Sequence, residues 1–136
     1  MELALLYGVT AVMFLALDMA VLPRLVLPLF RAALGPTMRA SFRYGPAVGF
    51  YVLFIGAVVW LITGPALQKE TAAARVALDA AVLGFAAYGT YEFTNMATIK
   101  GWTWRMLITD LAWGMSLTVI AATGGLLLTR AALGLF

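Results

Sequence analysis

The stretch that decides the fold is AVGFYVLFIGAVVWLITGPAL, residues 47–67, which contains no charged side chain. At about 1.5 Å per residue, a helix of this length crosses the ~30 Å hydrocarbon core of a membrane. Three further apolar blocks of similar length lie on either side of it: Leu3–Leu22, Val76–Ile99 and Met106–Thr129. None of the blocks shows the regular alternation of polar and apolar residues that marks a barrel strand. The sequence therefore predicts four transmembrane helices.

The composition excludes an ordinary soluble domain. Hydrophobic residues make up 64% of the 136 residues and charged residues only 11%, whereas about 25% of the residues in soluble domains are charged. The length allows one domain, residues 1–136, which the four helices nearly fill. The chain has no Cys and no His, so it lacks thiol nucleophiles, disulfides and the usual zinc ligands. We predict an all-α integral membrane protein with no metal site and no evident cofactor.

Residues 23–45, between the first and second blocks, carry arginines among apolar residues. Pro28 is placed to begin a short helix that ends near residues 35–36. Its apolar side chains would face lipid while Arg31 faces the headgroups, as in an interfacial helix. We expect a short interfacial helix here. The alternative is that the first helix continues past a kink at Pro23.

Basic residues are distributed unevenly between the two sides of the predicted bundle. The first and third loops share one side and hold six Lys and Arg, against three on the other side. The six are Arg24, Arg31, Arg39, Arg43, Lys100 and Arg105. This bias places both loops in the cytoplasm and both termini outside it. The net charge of +3 therefore indicates topology, and we expect no nucleic acid partner.

Three acidic residues inside the predicted spans are expected at one depth. Glu92 is nine residues before Gly101, in the short link between the third and fourth spans, and Asp110 is nine residues after it. Residues equally far from the turn of an antiparallel hairpin lie at about the same level. Asp18 lies four residues before Leu22, at the same side. Acidic residues within a membrane are costly, and three in one layer predict a functional site.

Polar and aromatic residues share the helix faces that carry these acids. Tyr88, Glu92 and Asn95 follow i, i+4, i+7 spacing, and Asp110 shares a face with Trp113. Acidic, amide, phenol and indole groups in an apolar wall are typical of a small-molecule site. The alternative is that these groups only hold the helices together.

Other polar and aromatic residues are predicted to lie near the membrane surfaces. Asp79 points away from Glu92 and has Arg75 one turn away, which predicts an ion pair. Trp102 and Trp104 follow a loop and are typical of interfacial anchors.

The segment YGTYEFTNMATIKGWTWRMLITDLAWG, residues 88–114, resembles the signature of a bacterial family of small membrane proteins called domain of unknown function 2177. The matching positions are Tyr88, Tyr91, Glu92, Thr94, Asn95, Ala97, Thr98, Gly101, Trp102 and residues 110–114. Asp18 and the pair Phe50-Tyr51 also fit the family pattern. There are two departures: many members have Asp in place of Glu92, and an aromatic residue that often follows the first acid is missing after Asp18.

This resemblance implies a four-helix protein of the bacterial inner membrane, without an established activity and with a hint of lipid handling. We predict that the chain binds or transports a small amphipathic molecule, a lipid or a cation at the carboxylate cluster. The predicted ligand-binding residues are Asp18, Tyr88, Tyr91, Glu92, Asn95, Asp110 and Trp113. Membrane lipid is an expected partner, and so is a second copy of the chain, because one small bundle would not enclose a transport path.

Two other functions remain open at this stage, so the sequence does not decide whether the protein is an enzyme. In a membrane-embedded enzyme that modifies lipid or isoprenoid groups, Glu92 and Asp110 would serve as acid and base or hold Mg²⁺. In an accessory subunit, the acids would pair with basic groups of a larger membrane complex.

Overall fold

The computed structural model describes residues 1–136 and contains helices and loops without strands. The α-helices are α1 (Glu2–Val21), α2 (Leu27–Leu34), α3 (Tyr44–Val58), α4 (Gly64–Gln68), α5 (Ala73–Thr98) and α6 (Trp104–Leu133). Short π-helical turns, Leu22–Val26 and Val59–Thr63, join α1 to α2 and α3 to α4, and a 3-10 turn, Gly35–Thr37, follows α2. The prediction of an all-α protein is confirmed.

Three helical segments are long and apolar enough to cross a membrane. They are Glu2–Thr37 and Tyr44–Gln68, both with mean hydropathy 2.1, and Trp104–Leu133, with mean hydropathy 1.7. The predicted third span is the 26-residue helix α5. Helix α5 is long enough to cross a membrane, but its charged and polar residues lower its mean hydropathy, and it is not among the three candidate spans. Length and composition therefore support three of the four predicted spans.

The first two helices form one continuous helical segment, not a span followed by a separate interfacial helix. Pro23 has no N–H to donate and would interrupt the regular hydrogen-bond ladder. The chain accommodates it in the π-helical turn Leu22–Val26, a common response where an α-helix is disturbed. In the same region the Arg24 guanidinium donates to the carbonyl of Ala20 (2.5 Å). The helix ends at Leu34, as predicted, but the structure matches the alternative in which the first helix continues past its proline.

The second π-helical turn depends on a glycine. The N–H of Gly64 donates to the carbonyl of Val59, and a Cβ on Gly64 would lie only 2.7 Å from that carbonyl oxygen. A larger residue would therefore not fit without a shift of the backbone.

Helix α6 is central to the bundle: α5 packs along it, α1 packs along it elsewhere, and α3 packs mainly against α1. Two glycines allow backbones to approach closely. A Cβ on Gly84 of α5 would lie 2.9 Å from the Thr118 hydroxyl of α6, and one on Gly125 of α6 would overlap the Thr10 hydroxyl of α1. The fully buried apolar side chains around these contacts include Leu6, Phe14, Ile55, Val58, Leu117 and Leu126.

Candidate ligand-binding site

Asp18 of α1 receives hydrogen bonds from two other helices. The Tyr51 hydroxyl of α3 donates to one carboxylate oxygen (2.5 Å) and the Trp113 indole of α6 donates to the other (2.9 Å). The side chain is buried, with the residue only 5% exposed. Hydrogen bonds to a carboxylate are stronger than those between neutral groups. Asp18 therefore joins three helices, and both its oxygens have donors.

Glu92 of α5 is completely buried, and only one of its oxygens has a donor. Its Oε2 accepts a hydrogen bond from the Trp102 indole (2.8 Å), whereas its Oε1 has no hydrogen-bond partner. Leaving a buried polar atom unsatisfied costs about 1–3 kcal/mol, and more when the group is charged. Glu92 thus differs from Asp18 in lacking a second donor.

Asp110 of α6 connects the other two acids. Its carboxyl lies near those of Glu92 and Asp18. An ionised carboxylate only accepts hydrogen bonds, so two of them attract each other only with a proton or another cation between them.

No basic side chain balances these three acids. The ion pair in the chain is Arg75–Asp79, with 2.9 Å between Nε and Oδ2, which confirms the prediction for those two residues. No group of three or more acidic side chains has the arrangement of a metal site.

A cavity of about 310 Å³ lies beside Asp110. Its walls come from α3, α5 and α6, and its lining residues are Phe50, Ala87, Tyr88, Tyr91 and Asp110. Tyr88 packs over Gly114 of α6, where a Cβ would overlap its ring. The absence of a side chain at Gly114 therefore leaves room for this ring. The result is an aromatic cavity with an almost entirely apolar wall and one acidic residue, Asp110, behind it.

A larger groove of about 430 Å³ lies between α1 and the α3–α4 segment. Tyr7 and Trp60 are among its lining residues, and none of the lining residues is charged. We take the smaller cavity as the candidate site because Asp110, one of the three buried acids, is among its lining residues.

The predicted ligand-binding residues divide into two groups in the structure. Tyr88, Tyr91 and Asp110 line the cavity. The other four lie outside its lining: Asp18, Glu92, Asn95 and Trp113. Asp18 and Glu92 lie next to Asp110, and the Trp113 indole donates a hydrogen bond to Asp18. Asn95 is half-buried near the Tyr91 hydroxyl.

Trp102 lies in a different environment from the one its position in the sequence indicates. Trp102 was expected to be an interfacial anchor, but it is only 8% exposed and donates to Glu92. Gly101 has a φ of 88°, a conformation that glycine adopts readily and that turns the chain back at this point. The Trp102 ring then packs edge-on against Phe30 of α2 and Tyr91 of α5.

Two residues of α3 were not among the predicted site residues. Phe50 lines the cavity and Tyr51 donates to Asp18. The only signal for them in the sequence was that the pair fits the pattern of the family that the chain resembles.

Comparison with known families supports this resemblance. The family model described as "Predicted membrane protein (DUF2177)" matches residues 3–127. No curated protein and no solved structure matched the chain. The match covers most of the chain, so the chain belongs to the DUF2177 family of predicted membrane proteins.

Proposed function

We propose that this member of the DUF2177 family binds a small amphipathic molecule in the cavity beside Asp110. The observation that carries the proposal is an aromatic and apolar cavity that has Asp110, one of three buried acids, among its lining residues. Ligand sites typically combine apolar walls with a few polar groups that orient the ligand.

The size and exposure of the cavity suit one part of a ligand more than a whole large molecule. Its volume of about 310 Å³ lies at the lower end of the usual range for ligand pockets, roughly 300–1,000 Å³. Phe50 and Tyr91 at its walls are 43% and 51% exposed. In a membrane these rings would face lipid, so a polar head would bind at Asp110 while an apolar tail extends along the rings into the bilayer.

The other two acids would have different roles in this site. Asp18, with donors on both oxygens, would act as a fixed anion that positions α1, α3 and α6. Glu92 has one oxygen without a donor and lies near Asp110. Its negative charge would add to the electrostatic potential that the head of the ligand meets at Asp110.

We also propose that α5 is a fourth membrane span. It has 26 residues, enough to cross ~30 Å of hydrocarbon, and it packs along the apolar helix α6. Of its charged residues, Glu92 is buried at the site, and Arg75 and Asp79 pair with each other near one end. Thr90 and Thr98 donate to carbonyls of the helix itself. The excess of basic residues would then place the loop between α5 and α6 in the cytoplasm of the bacterial cell and both termini outside the inner membrane.

The topology can be tested by labelling, because the chain has no cysteine of its own. Single cysteines at Thr71, before α5, and at Lys100, after it, would be treated with a membrane-impermeant maleimide in intact cells and in inverted vesicles. We expect Thr71→Cys to react in cells and Lys100→Cys to react only in inverted vesicles. Labelling of both from one side would overturn the fourth span.

Ligand binding can be tested by native mass spectrometry of the protein released from membranes. We expect a co-purified small molecule on the wild type and none on Asp110→Asn. Asp79→Asn is the matched control, because it removes an acid that lies outside the cavity. Equal ligand occupancy in the wild type and Asp110→Asn would contradict the proposal.

Transport is a further step of the same proposal. The cavity lies near one end of α6, so a single copy does not provide a path across the membrane. A second copy of the chain would supply the remaining wall. Cross-linking in membranes tests this, and a monomer in native lipid would limit the function to binding.

A further inference from the structure

We propose that one end of the bundle binds the headgroups of anionic phospholipids. This surface, which we call the basic end, is formed by the end of the first helical segment, the loop before α3 and the turn before α6. Its basic residues are Arg24, Arg31, Arg39, Arg43, Lys100 and Arg105. None of them lines the cavity beside Asp110, so the proposal goes beyond the function proposed for that cavity.

The fold brings together two parts of this surface that are far apart in the sequence. The ring of Phe30 in α2 packs edge-on against Trp102, with 5.1 Å between the ring centroids. A Cβ on Gly101 would lie 3.5 Å from a backbone carbonyl oxygen of α2. The end of α2 therefore lies directly on the turn before α6. Arg31 follows Phe30 and Lys100 precedes Gly101, so the two basic residues belong to one surface.

The length of the first helical segment places α2 at the level of lipid headgroups. The segment Glu2–Thr37 has 36 residues, which is roughly 54 Å of helix at about 1.5 Å per residue. A bilayer is about 40–45 Å thick with its headgroups and about 30 Å without them. A segment that begins among the headgroups of one leaflet therefore reaches those of the other leaflet at α2.

The basic residues at this end are exposed and nearly all of them lack a partner in the chain. Arg24 donates to a carbonyl of α1, and the other five form no side-chain hydrogen bond and no ion pair. At the opposite end, Arg75 pairs with Asp79 and Arg130 donates to two backbone carbonyls, which leaves only Lys69 unpaired. The unpaired positive charge is thus concentrated at the basic end.

No exposed acid lies at the basic end to balance this charge. Three of the six acids in the chain are buried. Glu2 and Glu70 line a cavity with Arg130 and the last residues of the chain, at the opposite end, and Asp79 pairs with Arg75 near the start of α5. Clusters of about four to eight Lys and Arg beside a membrane-spanning helix attract anionic lipids, and guanidinium groups match the geometry of phosphate oxygens.

Exposed aromatic side chains favour a lipid over an acidic protein or a nucleic acid. Phe42 and Tyr44 flank Arg43, and Trp104 precedes Arg105. These three rings are 61–73% exposed. Exposed Tyr and Trp are typical of the membrane interface, where the ring contacts lipid and the polar group meets the headgroups. Arg43 and Arg105 would therefore lie at the depth of the lipid phosphates.

The proposal can be tested by native mass spectrometry of the full chain in an uncharged detergent. Dioleoylphosphatidylglycerol, which is anionic, would be compared with dioleoylphosphatidylcholine, which has the same tails and no net charge. A basic residue near an anionic surface changes binding roughly fivefold. We therefore expect the first phosphatidylglycerol to bind at least about tenfold more tightly than the first phosphatidylcholine.

Matched double variants tie this preference to the basic end. Arg31→Gln with Lys100→Gln should weaken phosphatidylglycerol binding at least about fivefold and leave phosphatidylcholine binding unchanged. Lys69→Gln with Arg75→Gln removes the same charge from the opposite end and should change neither. Arg31→Lys with Lys100→Arg keeps the charge and should keep the preference. All four positions are exposed, and circular dichroism would verify that the variants are folded.

Three results would overturn the proposal. Equal affinity of the wild type for the two lipids would show that the surface does not select anionic headgroups. Equal losses in the two Gln double variants would show that only the net charge of the chain matters. Inorganic phosphate should displace no more phosphatidylglycerol than sodium chloride of the same ionic strength, and stronger displacement would assign the surface to free phosphate instead.

Discussion

The two halves of helix α6 use glycine in opposite ways. In the second half, Gly125 lets the backbone of α1 approach at Thr10, so no room remains between the helices. In the first half, Gly114 makes room for the ring of Tyr88, which reaches across from α5. We call residues 104–117 the site half and residues 118–133 the packed half. The backbones of α1 and α6 touch at Gly125 and leave no cavity there. The side chain of Tyr88 fills the wider gap between α5 and α6 at Gly114, and the cavity lies beside it.

The two halves also treat polar groups differently. At the packed half, the hydroxyls of Thr129 and of Thr10 on the facing helix α1 are buried without a partner, a modest cost for a small neutral group. At the site half, the Trp113 indole donates to Asp18 of α1, and the Trp102 indole, from the loop just before α6, donates to Glu92 of α5. The packed half is therefore expected to carry stability and the site half to carry binding.

The largest effect is expected from Gly125→Leu. The new side chain would overlap Thr10 and separate α1 from α6, and overpacking of this kind costs up to about 3 kcal/mol. Unfolding in mixed micelles with increasing dodecyl sulfate would measure the loss. Gly8→Leu is the matched control, because a side chain there meets no atom within 4 Å. Equal stability of the two variants would remove the distinction between the halves.

A smaller loss is expected from Trp113→Phe, which deletes one of the two donors to Asp18. Hydrogen bonds to charged groups contribute about 1.5–3 kcal/mol in proteins generally, and polar contacts within membranes less, so we expect a loss of about 1 kcal/mol. The same unfolding assay applies. Trp60→Phe is the control, since Trp60 is 81% exposed and donates no hydrogen bond within the chain. A loss as large as that of Gly125→Leu would show that the site half also determines stability.

Asp110→Asn is expected to leave stability unchanged or raise it by about 1 kcal/mol. The amide can donate to Glu92 and removes one charge from a layer of three acids, so the folded state gains a contact while the ligand loses one. The unfolding assay on protein stripped of ligand would measure this, with Asn95→Leu as a comparison that removes an amide from the same region. A clear loss of stability would mean that Asp110 mainly holds the helices together.

The smallest effect is expected from Asp79→Asn. The ion pair with Arg75 is exposed, with side chains 66% and 37% accessible, and exposed ion pairs contribute little. We expect no measurable change in the melting temperature, and the same result for Arg75→Gln. A measurable loss would mean that this end of α5 is more buried in the native membrane than in the isolated chain.

Helix positions and the closeness of Glu92 to Asp110 in the bundle could be predicted because they depend on local pattern. Apolar blocks set the helices, and equal spacing on either side of Gly101 sets the relative depth of Glu92 and Asp110. Partners could not be predicted, because they depend on how far each helix is rotated about its axis. Trp102 has the position in the sequence of an interfacial anchor and becomes a buried donor only through the turn at Gly101. Tyr51 reaches Asp18 only because α3 packs on α1.

The continuation of the first helix was also beyond the sequence pattern. Pro23 interrupts the hydrogen-bond ladder, and both a break and a π-helical turn are compatible with that fact. The choice depends on what the following segment contacts, which is a property of the whole bundle. Here that contact is the ring of Phe30 against Trp102.

The π-helical turn at Leu22–Val26 also determines which way the side chains of α2 point around the helix axis. A π-helical turn contains one residue more than an α-helical turn, and each residue of an α-helix advances the chain by about 100° around the axis. The extra residue therefore lets α1 present Asp18 to the bundle while α2 presents Phe30 to Trp102. Deleting one residue from this turn would restore a regular helix and rotate one of these two faces away from its partner. The two ends of a single helical segment are thus adjusted to different neighbours by a difference of one residue.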